Sequence, residues 1–185
     1  MSWIKTIAPS EAEGNTKEIY EKILRQEKTL DNIVISQSIR PLSLENYLLF
    51  SDKLINSREN KLPAWLIEAI GIYVSYLNSC EYCIEHHYNK LNKMMPIKSK
   101  VEKIRSALAD DQPGEVLDVW EEAIMRYAKS LTQNPATITS EVIDELRLCG
   151  LEDEEILEVN QLVSFMNYTN RIALGLGVAI ENKTS

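Results

Sequence analysis

The chain of 185 residues is 44% hydrophobic and 26% charged, long enough to bury one sizeable core and too short for much beyond one domain. Six Gly and six Pro are too few for a loop-rich β-sandwich, a collagen or a Pro/Gly-rich disordered chain. A formal net charge of −8 has the wrong sign for sequence-independent nucleic-acid binding or for an anionic membrane surface, so neither partner is expected.

The first residues, Ser2-Trp3-Ile4-Lys5-Thr6, carry no continuous apolar stretch and no small-residue cleavage site, so no secretory signal is legible and a cytoplasmic protein is expected. From there on the apolar residues recur with helical spacing, without sustained two-residue alternation. A first helix follows Asn15-Thr16, carries Ile19, Ile23 and Leu24 on one face and ends near Thr29. Arg40-Pro41 breaks the next segment, and Leu42, Leu44, Leu48, Leu49 and Leu54 form a second apolar face out to about Asn56. Pro63 suits the first turn of a third helix, where its missing N–H has no partner to lose, and that helix runs to about Leu77. Asn78 and Ser79 are good cap residues, and Glu81 follows Asn78 by three. That approximates a capping box for a helix reaching Met94 and closed by Pro96. Later helices are expected over Lys98 to Ala109, Gly114 to Leu131, Ser140 to Leu148 with Gly150 as terminator, and Asp153 to about Leu176. The apolar run from Ile156 to Val178 is interrupted by Glu158, Asn160, Gln161, Asn167, Asn170 and Arg171, which makes it a buried helix rather than a lipid-facing span. The fold class is therefore all-α, a single domain over residues 1–185 with seven or eight helices.

Chemistry concentrates in one short segment. The chain has three Cys and two His, and Cys80, Cys83, His86 and His87 fall within eight positions. At about 100° per residue, Cys80, Cys83 and His87 share one helical face, whereas His86 points about 120° away and Glu85 lies on the far side. A close CxxC pair in a reducing compartment signals redox chemistry or a metal. Structural zinc normally takes four ligands, and there is no second knuckle, Cys149 being the other thiol. A thioredoxin-type site needs a strand before the CxxC, which the helical pattern does not supply. Two merely structural cysteines would not bring a histidine to the matching position, so no metal or cofactor is expected and the redox reading leads. With Asn78 or Ser79 as cap, Cys80 lies in the first helical turn, where the helix dipole favours a thiolate. A thiolate attacks a peroxide or a disulfide, and a neighbour three residues away can resolve the product. Upstream, Glu68 is the single ionisable carboxylate between Pro63 and Leu77. Desolvation there is expected to raise its pKa and make it a proton acceptor near neutral pH.

The spacing Glu68-x11-Cys80-x2-Cys83-x3-His87 resembles the core signature of the AhpD-like alkylhydroperoxidase family, within the carboxymuconolactone decarboxylase-like superfamily. Ser2-Trp3-Ile4, Arg40-Pro41, the stretch Leu77 to Cys83, His86-His87 and the stretch Phe165 to Ala173 are similar to the peroxidase-related branch, so the resemblance covers nearly the whole chain, with its CxxC core region at about 41–95. It implies an AhpD-like helical bundle in which the dithiol reduces a small alkyl hydroperoxide and a thiol or disulfide-reductase electron donor restores it. It further implies Cys83 as the attacking thiolate, Cys80 as the resolving cysteine, and His87 with Glu68 as the proton relay. The helix-terminus consideration favours Cys80 instead, so which sulfur attacks stays open. Tyr82 stands between the cysteines where studied AhpD proteins carry a histidine that assists the relay. Family members are homo-oligomers, often trimers or hexamers. A second reading from another class is a redox-sensing or oligomeric binding protein whose dithiol does not turn over; carboxymuconolactone-type decarboxylation has no need of the CxxC pair. Among weaker features, Cys149 reads as a semi-buried helix-end residue, Asn167, Asn170 and Arg171 as residues that hydrogen-bond backbone at an interface or line the pocket, and Gly175-Leu176-Gly177 as close helix packing.

Overall fold

A computed structural model describes residues 2–27 and 29–181, and its regular structure is helical throughout, with no strand among the described residues. In chain order the helices are α1 (Gly14–Leu24), α2 (Asn32–Ser36), α3 (Pro41–Ile55), α4 (Ala64–Leu77), α5 (Glu81–Met94), α6 (Lys98–Ala109), α7 (Val119–Gln133), α8 (Ser140–Leu148) and α9 (Asp153–Leu176). The all-α bundle expected from periodicity is what forms: eight of these helices have at least seven residues, and α2, with five, is too short to leave a periodic signature. Among the described residues no helix is long and apolar enough to cross a membrane.

Local chemistry sets several helix starts. Asp118 and Glu121 form a capping box at α7, and Glu152 and Glu155 do the same at α9, each pair satisfying two of the backbone N–H groups that a helix leaves free. The Asp118 box places the start of α7 at Val119 rather than Gly114, because Pro113–Glu115 is a separate 3-10 turn. Pro63 turns out to be the N-cap of α4, with extended ψ, rather than its first helical residue. At the far end, Gly177 caps α9 in the left-handed region, and a Cβ there would overlap the Trp3 ring. Close helix packing does not explain this glycine pair, since Gly175 has open space around it. What Gly177 answers is a positive φ and a close approach by an aromatic ring.

Every side chain of α4 from Leu66 to Ser75 is buried, so α4 is the central rod of the bundle. It packs on α5, α6, α7 and α9, and its apolar residues Leu66, Ile67, Ile70, Ile72 and Val74 anchor the main core. Each such side chain stabilises the fold by about 1.5–3 kcal/mol on burial. A second core forms where α1, α2 and α3 fold over the start of α5: Ile19, Tyr20, Ile33, Val34 and Leu44 pack with Cys80, Tyr82, Cys83, Ala173 and Val178. The beginning of α5 is thereby held between the two cores.

The turn joining α4 to α5 places the CxxC segment. Asn78 is the C-cap of α4, Ser79 has φ of +55°, and two backbone bonds close the end, Cys80 N–H to Ser75 O at 2.9 Å and Ser79 N–H to Tyr76 O at 3.0 Å. This is a Schellman ending, which passes directly into α5 with Cys80 as its N-cap. An L-residue other than glycine in that left-handed position is disfavoured by about 1 kcal/mol. Ser79→Gly is therefore expected to raise stability by about 0.5–1 kcal/mol, read as a higher midpoint in urea unfolding with unchanged slope; a lower midpoint would contradict this account of the turn.

Candidate functional site

Cys80 and Cys83 are disulfide-bonded, with Cα atoms 5.4 Å apart. The sequence placed a cap at Asn78 or Ser79 and Cys80 within the first turn. Instead the cap is Cys80 itself, and Cys83 occupies the third helical position. The reason is that Asn78 is spent elsewhere. Its amide donates to Val74 O and to the side-chain oxygens of Asn167 and Asn170 at 2.9 and 3.1 Å, tying the end of α4 to α9. Both sulfurs consequently belong to the positive end of α5, where unpaired N–H groups favour a thiolate.

Glu68 on α4 and His87 on α5 lie 19 residues apart in sequence, and the hairpin of the two helices brings His87 Nδ1 to 2.7 Å from Glu68 Oε2. Both are deep in the protein, at 1% and 5% exposure. Glu68 neither snorkels nor reaches a surface lysine. Burial of an unpartnered carboxylate would be costly, and the imidazole removes that cost by hydrogen bonding. With Nδ1 donating to the carboxylate, Nε2 is the nitrogen left to accept a proton. The ring can sit this close to α4 because residue 71 is glycine: a Cβ there would lie 2.7 Å from the His87 Cγ and Nδ1 atoms.

A pocket of about 50 Å³ opens beside this pair, and Cys83, His86, His87, Tyr47, Phe165 and Thr169 are among its lining residues, whereas Cys80 is not. It has room for a few water-sized groups. His86, set aside by its angle on the helical wheel, thus borders the same space as His87. Its Nδ1 is 3.7 Å from Asp31 Oδ2, and its ring meets that of His87 edge-on at 5.5 Å. Burial, reinforced by the charge of Lys90, holds the His86 pKa well below the usual imidazole range. Glu85 does lie on the other side, paired with Arg105 of α6. Tyr82 is turned away from relay work: its hydroxyl donates to Glu181 Oε1 at 2.8 Å and accepts from Ile33 N–H at 3.2 Å. Burial, with the Glu181 charge beside it, pushes its pKa up.

Tyr47 and Phe165 also form one edge of an open groove of about 650 Å³ between α3 and α9, which continues over Phe50 and Tyr168 and is rimmed by uncharged Asn46 and Ser164. Tyr47 stacks on Phe165 at 5.4 Å and Phe50 meets it edge-on at 5.5 Å. Tyr47 and Thr169 are site-lining residues to which the sequence attached no role, and His86 is one that it set aside. The first two come from helices α3 and α9, distant in sequence from the CxxC segment, and no spacing rule links them to it. Asn167 and Asn170 prove to be a clamp rather than pocket lining: Asn170, fully buried, donates to Ser75 Oγ at 3.2 Å, and Asn167 donates to Thr132 Oγ1 at 2.9 Å. Arg171 caps the Asn167 carbonyl and side-chain oxygens. Cys149 is a half-buried free thiol at the C-cap of α8. Among the described residues no cluster of three or more His, Cys, Asp or Glu is arranged to hold a metal ion.

No family model and no curated protein matches the sequence. Solved structures do match the fold. An uncharacterized peroxidase-related protein from Silicibacter sp. superposes with a TM-score of 0.80 at 19% identity, over 98% of this chain and 90% of that one. An uncharacterized peroxidase-related protein from Ralstonia eutropha, described as an alkylhydroperoxidase AhpD core, gives 0.79 at 16% identity over 98% and 93%. A cysteine-to-alanine variant of a debrominase in complex with 2,3,4-tribromopyrrole gives 0.77 at 18% identity over 98% and 94%. The chain therefore has the AhpD-like, peroxidase-related fold along essentially its whole length.

The close approach of His87 to the α4 backbone is directly testable. Gly71→Ala forces the imidazole to move, and overpacking of this kind costs about 1–3 kcal/mol. The expected result is a lower unfolding midpoint together with loss of the His87 Nδ1 hydrogen bond, read as a change in the imidazole ¹⁵N shifts; unchanged shifts would mean that the ring is not held as described.

Proposed function

We propose that the protein is a thiol-dependent peroxidase that reduces small organic hydroperoxides through the Cys80/Cys83 dithiol. The observation that carries this reading is that Cys83, and not Cys80, lines the pocket that His87 also lines, with His87 hydrogen-bonded to buried Glu68. It supports Cys83 as the attacking sulfur.

In the reduced protein His87 Nε2 takes the Cys83 proton while Glu68 stabilises the imidazolium. The thiolate attacks the terminal oxygen of RO–OH: an S–O bond forms, the O–O bond breaks, sulfur is oxidised by two electrons, and the departing RO⁻ recovers the proton from His87 to leave as ROH. Cys80 then displaces water from the Cys83 sulfenic acid to give the disulfide, which an external dithiol or disulfide reductase reduces. The aromatic groove beyond Tyr47 and Phe165 supports an organic rather than an inorganic peroxide, since the small pocket holds the O–O group and little more. A debrominase of the same fold binds 2,3,4-tribromopyrrole, a compact ring-bearing molecule. Homo-oligomerisation belongs to the same proposal, with exposed Leu42 and Leu49 of α3 and Leu157 of α9 as the candidate contact.

Cumene hydroperoxide consumption with dithiothreitol as reductant tests the reading. Wild type turns over, Cys83→Ser falls to the uncatalysed rate, and Glu68→Gln loses about 10²-fold; Cys80→Ser stops at a sulfenic acid that dimedone captures. Equal consumption by wild type and Cys83→Ser sinks the peroxidase, and a disulfide that forms once without recycling points to a sensor. Sedimentation velocity checks the assembly: Leu49→Asp is expected to shift an oligomer toward monomer, and a monomeric wild type refutes that part.

A further inference from the structure

Two buried side-chain oxygens among the described residues have no hydrogen-bond partner, Glu158 Oε1 and Thr169 Oγ1. The first belongs to a carboxylate whose other oxygen already accepts the Lys61 N–H at 2.8 Å. The second is the whole polar content of its side chain. A threonine inside a helix ordinarily donates to the carbonyl four residues back, here that of Phe165, yet Thr169 does not. Thr169 lines the pocket that Cys83 also lines. The Tyr47 hydroxyl is its near neighbour, placed where the Thr169 hydroxyl favours the ionised phenol, although Thr169 Oγ1 makes no hydrogen bond in the resting structure. Buried hydroxyls are nearly always satisfied, and one that is not, in a pocket shared with Cys83, is a donor in want of an acceptor.

We propose that Thr169, seconded by Tyr47, donates the hydrogen bond that takes up negative charge on the oxygen leaving as Cys83 attacks a peroxide. This rests on the peroxidase reading above and adds a catalytic contact that no part of the CxxC motif supplies. Cleavage of the O–O bond delivers a full negative charge to RO⁻ before the proton arrives from His87, and a donor already aimed at that position stabilises the transition state more than the neutral peroxide. Both hydroxyls keep their protons at neutral pH: a threonine hydroxyl does not ionise there, and burial pushes the Tyr47 phenol up to about 12. Besides His87, the other polar groups lining the same pocket are Ser51, Tyr82, His86 and Lys90. The Tyr82 hydroxyl is committed to Glu181 and His86 is neutral near pH 7 by virtue of its burial, whereas Lys90 and Ser51 are the competing donors.

The experiment separates thiolate formation from O–O cleavage. Stopped-flow oxidation of the reduced protein by cumene hydroperoxide is compared with alkylation of the same Cys83 by iodoacetamide, which expels iodide and creates no alkoxide. Thr169→Val, nearly isosteric, is expected to slow oxidation by about 10²-fold while leaving alkylation and its pH profile unchanged. Thr169→Ser is expected to restore most of the rate, and Tyr47→Phe to reduce it less than Thr169→Val does. Oxidation at the wild-type rate in Thr169→Val overturns the inference, as does an equal loss in both reactions, which would mark a structural role. A full loss in Lys90→Met with none in Thr169→Val assigns the donor to lysine and equally overturns it. If Thr169→Val does not fold, the Tyr47→Phe and Thr169→Ser rates decide: no loss in Tyr47→Phe together with loss in Thr169→Ser would refute the paired donors. A wild type that shows no Cys83-dependent oxidation fails the peroxidase reading itself, a result distinguishable from every variant effect.

Discussion

The hydrogen bond between Glu68 and His87, 2.7 Å long and almost sealed from solvent, constrains everything around it. A carboxylate in the middle of the most apolar helix of the protein is tolerable only with a partner, and loss of one member of a buried pair typically costs about 3–5 kcal/mol because the other is stranded. That requirement fixes how far α5 can stand from α4 and makes Gly71 the point of closest approach. Once the two helices are set at that spacing, the turn between them has to reverse the chain in three residues, Asn78, Ser79 and Cys80. The Schellman geometry accomplishes this and leaves Cys80 at the mouth of α5 with Cys83 one turn before His87. The arrangement of sulfur and imidazole is thus a consequence of the buried pair and its turn.

How much of this was legible in the sequence depends on whether a signal was local. Helix α4 announced itself by an unbroken apolar run with one carboxylate in it, and the Cys80, Cys83 and His87 spacing marked a shared face without any tertiary information. The misplacement of the α5 cap had a definite cause. Asn78 and Ser79 have the right chemistry for an N-cap, but Asn78 is drawn to Asn167 and Asn170, about ninety residues later, by contacts that local spacing does not encode. A wheel angle likewise separated His86 from His87, although α2, α3 and α9 close a pocket broad enough to border both. Tyr47 lay outside any motif and Thr169 fell within the stretch Phe165 to Ala173 with no role attached, since what brings both to the pocket is the packing of α3 and α9 against the start of α5. The tight approach of Trp3 to Gly177 was equally a tertiary fact presented in the sequence only as a glycine pair.

Polar groups buried at the two ends of α4 do different work. On the α9 side, Ser75, Asn78, Asn167, Asn170 and Thr132 form a connected set of hydrogen bonds. A satisfied network of that kind rigidifies the helix pair and specifies its register. On the α5 side, the pocket keeps one hydroxyl unsatisfied and holds two imidazoles in contact. A fold that satisfies its buried polar atoms along one helix face and leaves Thr169 Oγ1, one of two exceptions among the described residues, in the pocket that Cys83 lines departs from consistency where function is expected.

The burial of the dithiol bears on how the proposed cycle closes. Cys80 and Cys83 are 1% and 2% exposed, covered by α1 to α3 and by the terminal segment whose Glu181 accepts from both Tyr82 and the Asn32 N–H. Attack on a disulfide demands approach along the S–S axis by a thiolate. In the proposed cycle the narrow pocket would admit a peroxide head group to Cys83 but not a protein surface to Cys80. Reduction by a macromolecular donor in that cycle would require the cover to open, and its α2 part is a five-residue helix held by Asn32 hydrogen bonds to Glu181 and Ala179, by Ile33 N–H to Tyr82 and by the packing of Ile33 and Val34. Such thinly held segments are those that open at low free energy while the main core stays intact. In the proposed cycle the same cover would shield a Cys83 sulfenic acid during the peroxide step and gate the reductive one, so its two halves would place opposite demands on residues 31–36.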